Sequence, residues 1–301
     1  MTTVANTPRV DVYARVTSHI IAELELGVLP WLKPWNAENA AGRITRPLRH
    51  NGIPYAGINI LMLWSAAEIS GFGCPFWLTY QQARELGGFV KKGQHGFPVV
   101  YASSFKKTDT SEDGQEIEQE IKFLKEYTVF NAEQCDGLPG HFYQLAAPPK
   151  EKIERITHAD EFFANTKVDI RHGGNMAYYA MGGDYVQMPP LESFRDAESH
   201  AATVAHELTH WTRHPSRLAR EFGRKRWGDE GYAMEELVAE LGSAFLCADL
   251  RITPEVRDDH ASYIQKWLTV LRDDKRAIFS AASHASKAVE FLHGLQPSEN
   301  V

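Results

Sequence analysis

The chain has 301 residues, a net charge of −7 and 43% hydrophobic residues. This is the composition of an ordinary globular protein and excludes fibrous and strongly disordered classes. No run of eighteen apolar residues occurs, and the N-terminus lacks the apolar segment of a secretion signal. We therefore expect a cytoplasmic protein with no membrane partner. Three widely spaced cysteines, Cys74, Cys135 and Cys247, suit a reducing compartment.

Charge is distributed unevenly along the chain. Residues 30–107 contain nine Lys or Arg and three acidic residues, whereas residues 108–126 contain seven acids and two lysines. Because the rest of the chain is acidic, the basic block indicates a local anionic partner rather than a generally basic surface.

The first half of the chain mixes predicted helices and strands. Apolar spacing of three and four predicts a helix over residues 10–26, and a second is predicted from about Asn59 to Ser70. The stretch FWLTYQQARELGG predicts a short strand followed by a helix that ends at Gly87-Gly88. The segments FPVVYASSFKK and KFLKEYTVFNAEQ predict two strands, and the acidic stretch between them is expected at the tip of their hairpin.

The stretch LAAPPKEK, residues 145–152, has the small residues and prolines of a linker. We therefore divide the chain into an N-terminal domain (1–145), a linker (146–152) and a C-terminal domain (153–301). In the second domain a helix and short strands with Gly-Gly turns are followed, after Pro190, by a strongly helical region up to about Gly294. The predicted fold class is α+β with two domains.

The segment VAHELTHWT, residues 204–212, contains an HExxH motif. On a helix, the i and i+4 spacing of His206 and His210 places two imidazoles on one face, where they can hold one metal ion. Glu207 lies at the edge of the same site and could take a proton from a metal-bound water. The simpler alternative is a solvated helix that carries two surface histidines.

The downstream stretch YAMEELVAELGSAFL supplies carboxylates for such a site. We predict Glu236 as the third ligand and Glu240, one turn later, as the acceptor of the outer N–H of a ligand histidine. Glu235 is the rival third ligand, although it faces about 100° away on the helix. With two His and one Glu, the site resembles the gluzincin branch of zincin metallopeptidases. The expected metal is Zn²⁺, with Mn²⁺ as the alternative.

The sequence leaves the group that would stabilise an oxyanion unassigned. The candidates are His214, Tyr178, Tyr179 and Tyr232. The stretch YYAMGGDYVQMPP is predicted as an edge strand beside the cleft, where a substrate strand could pair.

The basic block also contains aromatic residues, and this combination is typical of single-stranded nucleic-acid binding, in which rings stack on bases and cations track phosphates. The alternative is that the aromatic residues belong to the core and the cations are merely solvated. The candidate DNA-contact residues are Trp31, Lys33, Trp35, Arg43, Arg46, Arg49, Tyr55, Asn59, Trp77, Tyr80, Lys91 and Lys92.

Several motifs in fixed order resemble a known family. WLKPW, YAGINILML, FWLTYQQARELGGFVKKGQHGFPVVY and YTVFNAEQCDGLP are similar to the N-terminal domain of ArdC antirestriction proteins, which is shared with TraC-type plasmid primases. VAHELTHWT with EELVAELGSAFL resembles the zincin-like domain that follows it in that family. The resemblance implies single-stranded DNA binding, a metallopeptidase fold, and protection of incoming plasmid DNA from restriction during conjugation. It also implies a plasmid-encoded bacterial protein.

Three functions remain open from the sequence. The first is a DNA-binding protector whose metal domain is secondary or acts on a protein target. The second is an active zinc metalloprotease that cleaves a specific host protein, such as a restriction-enzyme subunit or a repressor, with the N-terminal domain as its targeting module. In the third, the metal only stabilises the fold. A nuclease is disfavoured because no Asp/Glu cluster suited to two Mg²⁺ ions is evident in the sequence.

Overall fold

We analysed a computed structural model, which describes residues 11–32, 45–110, 116–143, 152–223, 229–253 and 260–297. Within these ranges the α-helices are α1 (Val12–Glu25), α2 (Ile58–Ser70), α3 (Tyr80–Glu85), α4 (Lys152–Asn165), α5 (Ala197–Trp211), α6 (Glu230–Leu250), α7 (His260–Asp273) and α8 (Ala277–Gly294). The strands are β1 (Leu48–Arg49), β2 (Phe76–Thr79), β3 (Phe89–Val90), β4 (Phe97–Thr110), β5 (Glu116–Asn131), β6 (Cys135–Asp136), β7 (Asp169–His172), β8 (Tyr178–Ala180) and β9 (Tyr185–Met188). The predicted α+β class is confirmed.

The chain forms two compact units whose bounds interleave along the sequence. The larger unit comprises Met1–Pro47, Pro54–Gly73 and Leu145–Val301, and the smaller comprises Leu48–Ile53 and Cys74–Gln144. Residues 146–151 of the predicted linker lie outside the described ranges. The predicted N-terminal domain, however, is divided between the two units, because α1 and α2 belong to the larger one.

The smaller unit is built on a four-stranded sheet with the order β1-β2-β5-β4. Strand β1 pairs with β2 in parallel, and the other neighbours are antiparallel. Thr79 ends β2 and starts α3 through a capping box with Gln82, and Gly87 follows α3 with a φ of +85°. The predicted strand, helix and glycine stop are therefore confirmed. Strands β4 and β5 confirm the predicted hairpin, and residues 111–115 of its tip lie outside the described ranges.

Helices α1 and α2 pack against the helices at the C-terminal end of the larger unit. Thr17 of α1 donates its hydroxyl to the carbonyl of Lys275 at 2.7 Å. Trp64 of α2 meets the ring of Phe245 at a centroid distance of 5.8 Å. These contacts span about two hundred residues of sequence or more, which explains why a division of the sequence at a single linker does not reproduce the compact units.

The remainder of the larger unit positions the site on two helices. A three-stranded sheet, with the order β7-β9-β8, leaves β8 at an edge. The prediction of an edge strand over YYAMGGDYVQMPP therefore holds for β8 but is wrong for its second half, because β9 lies between β7 and β8. Helices α5 and α6 lie side by side and are almost wholly buried. Gly242 allows their close approach, since a Cβ there would lie 2.5 Å from Thr209 Cγ2. Across the described ranges we find no helix with the length and apolar character needed to cross a bilayer.

Candidate metal centre

Helix α5 carries the HExxH motif into the interior of the larger unit. The Asp196 side chain caps its start by accepting a hydrogen bond from the Ser199 amide at 2.8 Å. The side chains of the motif are almost inaccessible, with 2% exposure for His206 and Glu207 and 9% for His210. Because two histidines a turn apart are buried together, the alternative of a solvated helix with surface histidines is wrong.

Three donor atoms converge on one point between α5 and α6. Glu236 lies 3.6 Å from His206 Nε2 through one carboxylate oxygen and 3.5 Å from His210 Nε2 through the other. Donors about 2.0–2.1 Å from a tetrahedral metal ion stand roughly 3.4 Å apart. The observed spacings are close to this value and too long for good hydrogen bonds. The donor set of two imidazoles and a carboxylate therefore fits a divalent metal ion, and the three ligand atoms lie within 4.8 Å of one another.

The outer nitrogens of both histidines face further carboxylates. His206 Nδ1 lies 3.4 Å from Glu240, as the sequence predicts, and His210 Nδ1 lies 3.1 Å from Glu235 Oε1. Glu235, the rival third ligand, thus contacts the side of an imidazole that faces away from Glu236. Such partners fix the ring orientation and the tautomer of a ligand histidine.

Arg220, which the sequence analysis missed, holds the carboxylate of Glu235 in place. Its guanidinium donates to both oxygens of Glu235, at 2.7 Å from Nη2 and 2.8 Å from Nε. It also donates to Thr209 O at 2.9 Å and to Thr212 Oγ1 at 3.0 Å. Arg220 lies in an irregular segment after α5, so neither helical spacing nor a short motif points to it.

The electrostatics of the site favour a cation. Burial disfavours the charged forms of His210, Glu235 and Glu236. For His210, the nearby carboxylates of Glu236 and Glu235 outweigh burial and raise its pKa to about 10. Arg220 and His210 likewise lower the pKa of Glu235 to about 2 against the effect of burial. The pKa of Glu236 is lowered too, by His210 and His206. Carboxylates that stay charged in a buried site supply the negative potential that a divalent ion requires.

A cavity of about 770 Å³ opens onto the three donors and Glu207. Edge strand β8 contributes Tyr178 and Tyr179 to its wall, and Tyr232 and Arg213 also line it. The cavity therefore brings the general-base candidate and a strand edge to the same space as the donors.

The four candidates for an oxyanion donor occupy different positions. Tyr178, Tyr179 and Tyr232 line the cavity, and His214 is absent from the lining. The Tyr232 hydroxyl lies 2.8 Å from that of Tyr263. The Tyr179 hydroxyl donates to Asp184 at 2.8 Å, which commits its proton elsewhere.

The predicted DNA-contact aromatics are mostly buried. Trp31 is 0% exposed and packs edge-on against Trp267, and Trp77 is 1% exposed. Tyr55 is 8% exposed. A ring enclosed on both faces cannot stack on a base, so the base-stacking role predicted for these three is corrected to a core role. Tyr80 remains exposed at 54%.

The predicted cations also differ in their surroundings. Arg46 forms an ion pair with Asp249 at 2.6 Å and is 11% exposed, which does not leave it available to phosphates. Lys91 donates to the Glu133 carbonyl at 3.0 Å and lies 3.5 Å from Asp136. Arg49 and Lys92 are exposed, and Asn59 is half-buried in α2. Lys33, Trp35 and Arg43 lie outside the described residues.

The fold and the donor set define a protein with a zincin-like domain preceded by a domain of another kind. Residues 157–284 match the family model of a zincin-like metallopeptidase, and residues 10–130 match that of the N-terminal domain of the anti-restriction factor ArdC. The chain belongs to the ArdC family of antirestriction proteins.

Individual relatives agree with this assignment. The metal-free crystal structure of the antirestriction protein ArdC from plasmid R388 is 44% identical and superposes with a TM-score of 0.79, covering 95% of this chain and 97% of that one. Its Mn(II)-bound structure is 42% identical, with a TM-score of 0.77 and coverage of 96% and 100%. Protein y4eC of Sinorhizobium fredii is 41% identical over 95% of this chain and 92% of its own length. A DNA primase TraC of Escherichia coli is 34% identical over 93% of this chain, which spans only 27% of the primase.

Proposed function

We propose that this protein binds single-stranded DNA and protects incoming DNA from restriction, and that it holds one divalent metal at His206, His210 and Glu236. Membership of the ArdC family supports the protective role, since the R388 relative is an antirestriction protein. The similarity to a DNA primase supports a nucleic-acid partner. The observation that carries the metal site is the convergence of two imidazoles and one carboxylate within 4.8 Å.

The metal is proposed as Zn²⁺ or Mn²⁺. Two nitrogens and one oxygen in a site with an open side suit Zn²⁺, while the R388 relative has been crystallised with Mn(II). A bound divalent ion supplies Lewis acidity and lowers the pKa of water. Glu240 and Glu235 hold the imidazoles through their outer nitrogens, so that both Nε2 atoms remain directed at Glu236.

Glu207 is proposed as the general base of a peptidase reaction. Its carboxylate belongs to the cavity wall beside both histidines and is 2% exposed. In that position it can accept the proton of an attacking water and return it to a leaving amine. An extended segment of substrate can add to the edge of β8, whose residues line the same cavity. These features favour the second candidate, a metalloprotease that cleaves a specific host protein such as a restriction-enzyme subunit.

A restriction-protection assay with full-length variants separates the candidates. Glu207→Gln preserves shape and the ligand set but removes the base, whereas His206→Ala removes a ligand. If protection depends on DNA binding alone, Glu207→Gln protects as well as the wild type; if it depends on proteolysis, protection is lost. If protection is lost in His206→Ala but not in Glu207→Gln, and His206→Ala also has a lower Tm, the metal has a purely structural role.

DNA binding is tested directly by titrating the wild type with single-stranded oligonucleotides at several salt concentrations. Affinity that falls steeply as salt rises is expected, because phosphate contacts release counterions. An absence of binding at low salt would remove the basis of the proposed protective mechanism.

A further inference from the structure

Two exposed tyrosines and a lysine form a cluster on the β4–β5 ladder of the smaller unit. Tyr101 is 55% exposed and Tyr127 is 42% exposed. Their ring centroids are 6.4 Å apart, at an interplanar angle of 71°. Lys125 Nζ lies 5.8 Å from the centre of the Tyr127 ring. Sequence analysis did not single out any of the three. We call them the ladder face.

The register of the ladder explains why these side chains meet. Tyr101 pairs with Lys125 and Val99 pairs with Tyr127, so all three members of the cluster belong to one face of the strand pair. Closer to β2 the same face is covered, since Val129 is 1% exposed and Val99 is 6% exposed. This face of the strand pair is therefore buried as far as Val99 and exposed to solvent at the two tyrosines.

Glu126 lies between Lys125 and Tyr127 in β5 and occupies a register position alternate to theirs. It pairs with Val100, whereas Tyr101 pairs with Lys125 and Val99 pairs with Tyr127. Because successive side chains of a strand point to opposite faces, Glu126 is assigned to the face opposite Lys125, which leaves the ladder face suited to an anionic partner.

We propose that the ladder face is where the bases of single-stranded DNA stack, with Lys125 beside the phosphates. Flat, exposed rings next to a cation are the combination that binds unpaired bases without sequence preference. A duplex conceals its base faces, so this surface distinguishes single from double strands. The inference rests on the proposed DNA binding and replaces Trp31, Trp77 and Tyr55, whose rings are buried, as the stacking groups.

The experiment measures the fluorescence anisotropy of a labelled oligothymidylate, and of a duplex for comparison, with full-length variants. Tyr101→Ala with Tyr127→Ala is expected to weaken single-strand binding, by about 5-fold to 150-fold for each ring that stacks on a base. The Phe substitutions at both positions are expected to retain wild-type affinity, because stacking does not need the hydroxyl. Glu126→Ala, on the same strand at an alternate register position, is the matched control and is not expected to weaken binding.

The outcomes separate this inference from the proposed function on which it rests. If the wild type binds and the double Ala variant binds equally well, while its CD spectrum is native, the ladder face is excluded and DNA binding stands. If the wild type binds no oligonucleotide at low salt, the proposed function itself fails, and the inference with it. If light scattering shows a dimer that the Ala substitutions dissociate without changing DNA affinity, the ladder face binds a second copy of the chain. That result overturns the inference.

Discussion

Arg220→Met is expected to destabilise the protein, because it leaves the Glu235 carboxylate buried without its counter-charge. Both side chains are nearly inaccessible, at 1% for Arg220 and 2% for Glu235. Removing one partner of a buried ion pair costs ~3–5 kcal/mol of unfolding free energy. The hydrogen bonds from Arg220 to the Thr209 carbonyl and the Thr212 hydroxyl are lost as well.

The expected loss corresponds to a fall in Tm of about 6–20 °C, at roughly 2–4 °C per kcal/mol for a unit of this size. Calorimetry in excess EDTA measures it without a contribution from bound metal. Arg272→Met is the matched control, since the side chains of Arg272 and its partner Glu25 are 53% and 49% exposed and an exposed ion pair contributes ~1 kcal/mol or less.

A second substitution tests whether the buried charge is the cause. Adding Glu235→Met to Arg220→Met removes the orphaned carboxylate, so the double variant is expected to be more stable than the sum of the single effects predicts. The contact of Glu235 with His210 is lost as well, and metal affinity is expected to fall by about 10- to 100-fold in titration calorimetry. This reasoning would be refuted if the Tm of Arg220→Met lay within ~2 °C of the wild type. It would also be refuted if the stability changes of the two single variants summed to that of the double variant.

Three further results are expected. Gly→Ala within a helix usually stabilises by about 1 kcal/mol, but a Cβ at Gly242 would lie 2.5 Å from Thr209 Cγ2, so Gly242→Ala should instead destabilise by ~1–2 kcal/mol in urea. The hydrogen bond from Arg217 lowers the pKa of Asp184 to about 2. The wild type should therefore be more stable than Asp184→Asn above pH ~4, and lose that advantage as the pH falls from ~4 to ~2. Burial raises the pKa of Cys247 to about 12 and also encloses the other two cysteines, so Ellman's reagent should titrate thiols only after unfolding.

Each of these has a clear contrary result. A stabilised Gly242→Ala variant would mean that α5 and α6 separate at no cost. A stability difference for Asp184→Asn that does not change between pH 4 and 2 would remove the ion pair as its source. Rapid labelling of a thiol in the native protein would contradict the burial of that cysteine.

Helical spacing made the inner part of the site predictable. The i, i+4 pairs in α5 and α6 are local properties of the sequence, and they identified His206, His210, Glu236 and Glu240 before any coordinates. Glu236 was preferred over Glu235 because Glu240 follows it by four residues, whereas Glu235 faces about 100° away on the helix. Arg220 was beyond such reasoning, since its approach to Glu235 depends on the path of an irregular segment.

The base-stacking role predicted for Trp31, Trp77 and Tyr55 was wrong for a different reason. Composition shows that aromatic and basic residues are mixed, but not which rings are buried. Trp31 is enclosed because it reaches Trp267, more than two hundred residues away. By contrast, the exposure of Tyr101 and Tyr127 follows from the point at which the β4–β5 ladder leaves the core, and this depends on tertiary structure rather than on the local sequence.

The central claim, one divalent ion held by two histidines and Glu236, is tested most directly by titrating EDTA-stripped protein with Zn²⁺ and Mn²⁺ in a calorimeter. We predict one tight site per chain in the wild type, its loss in Glu236→Ala, and its retention at lower affinity in Glu235→Ala. Tight binding that survives Glu236→Ala but disappears in Glu235→Ala, or no stoichiometric binding by the wild type, would contradict the account.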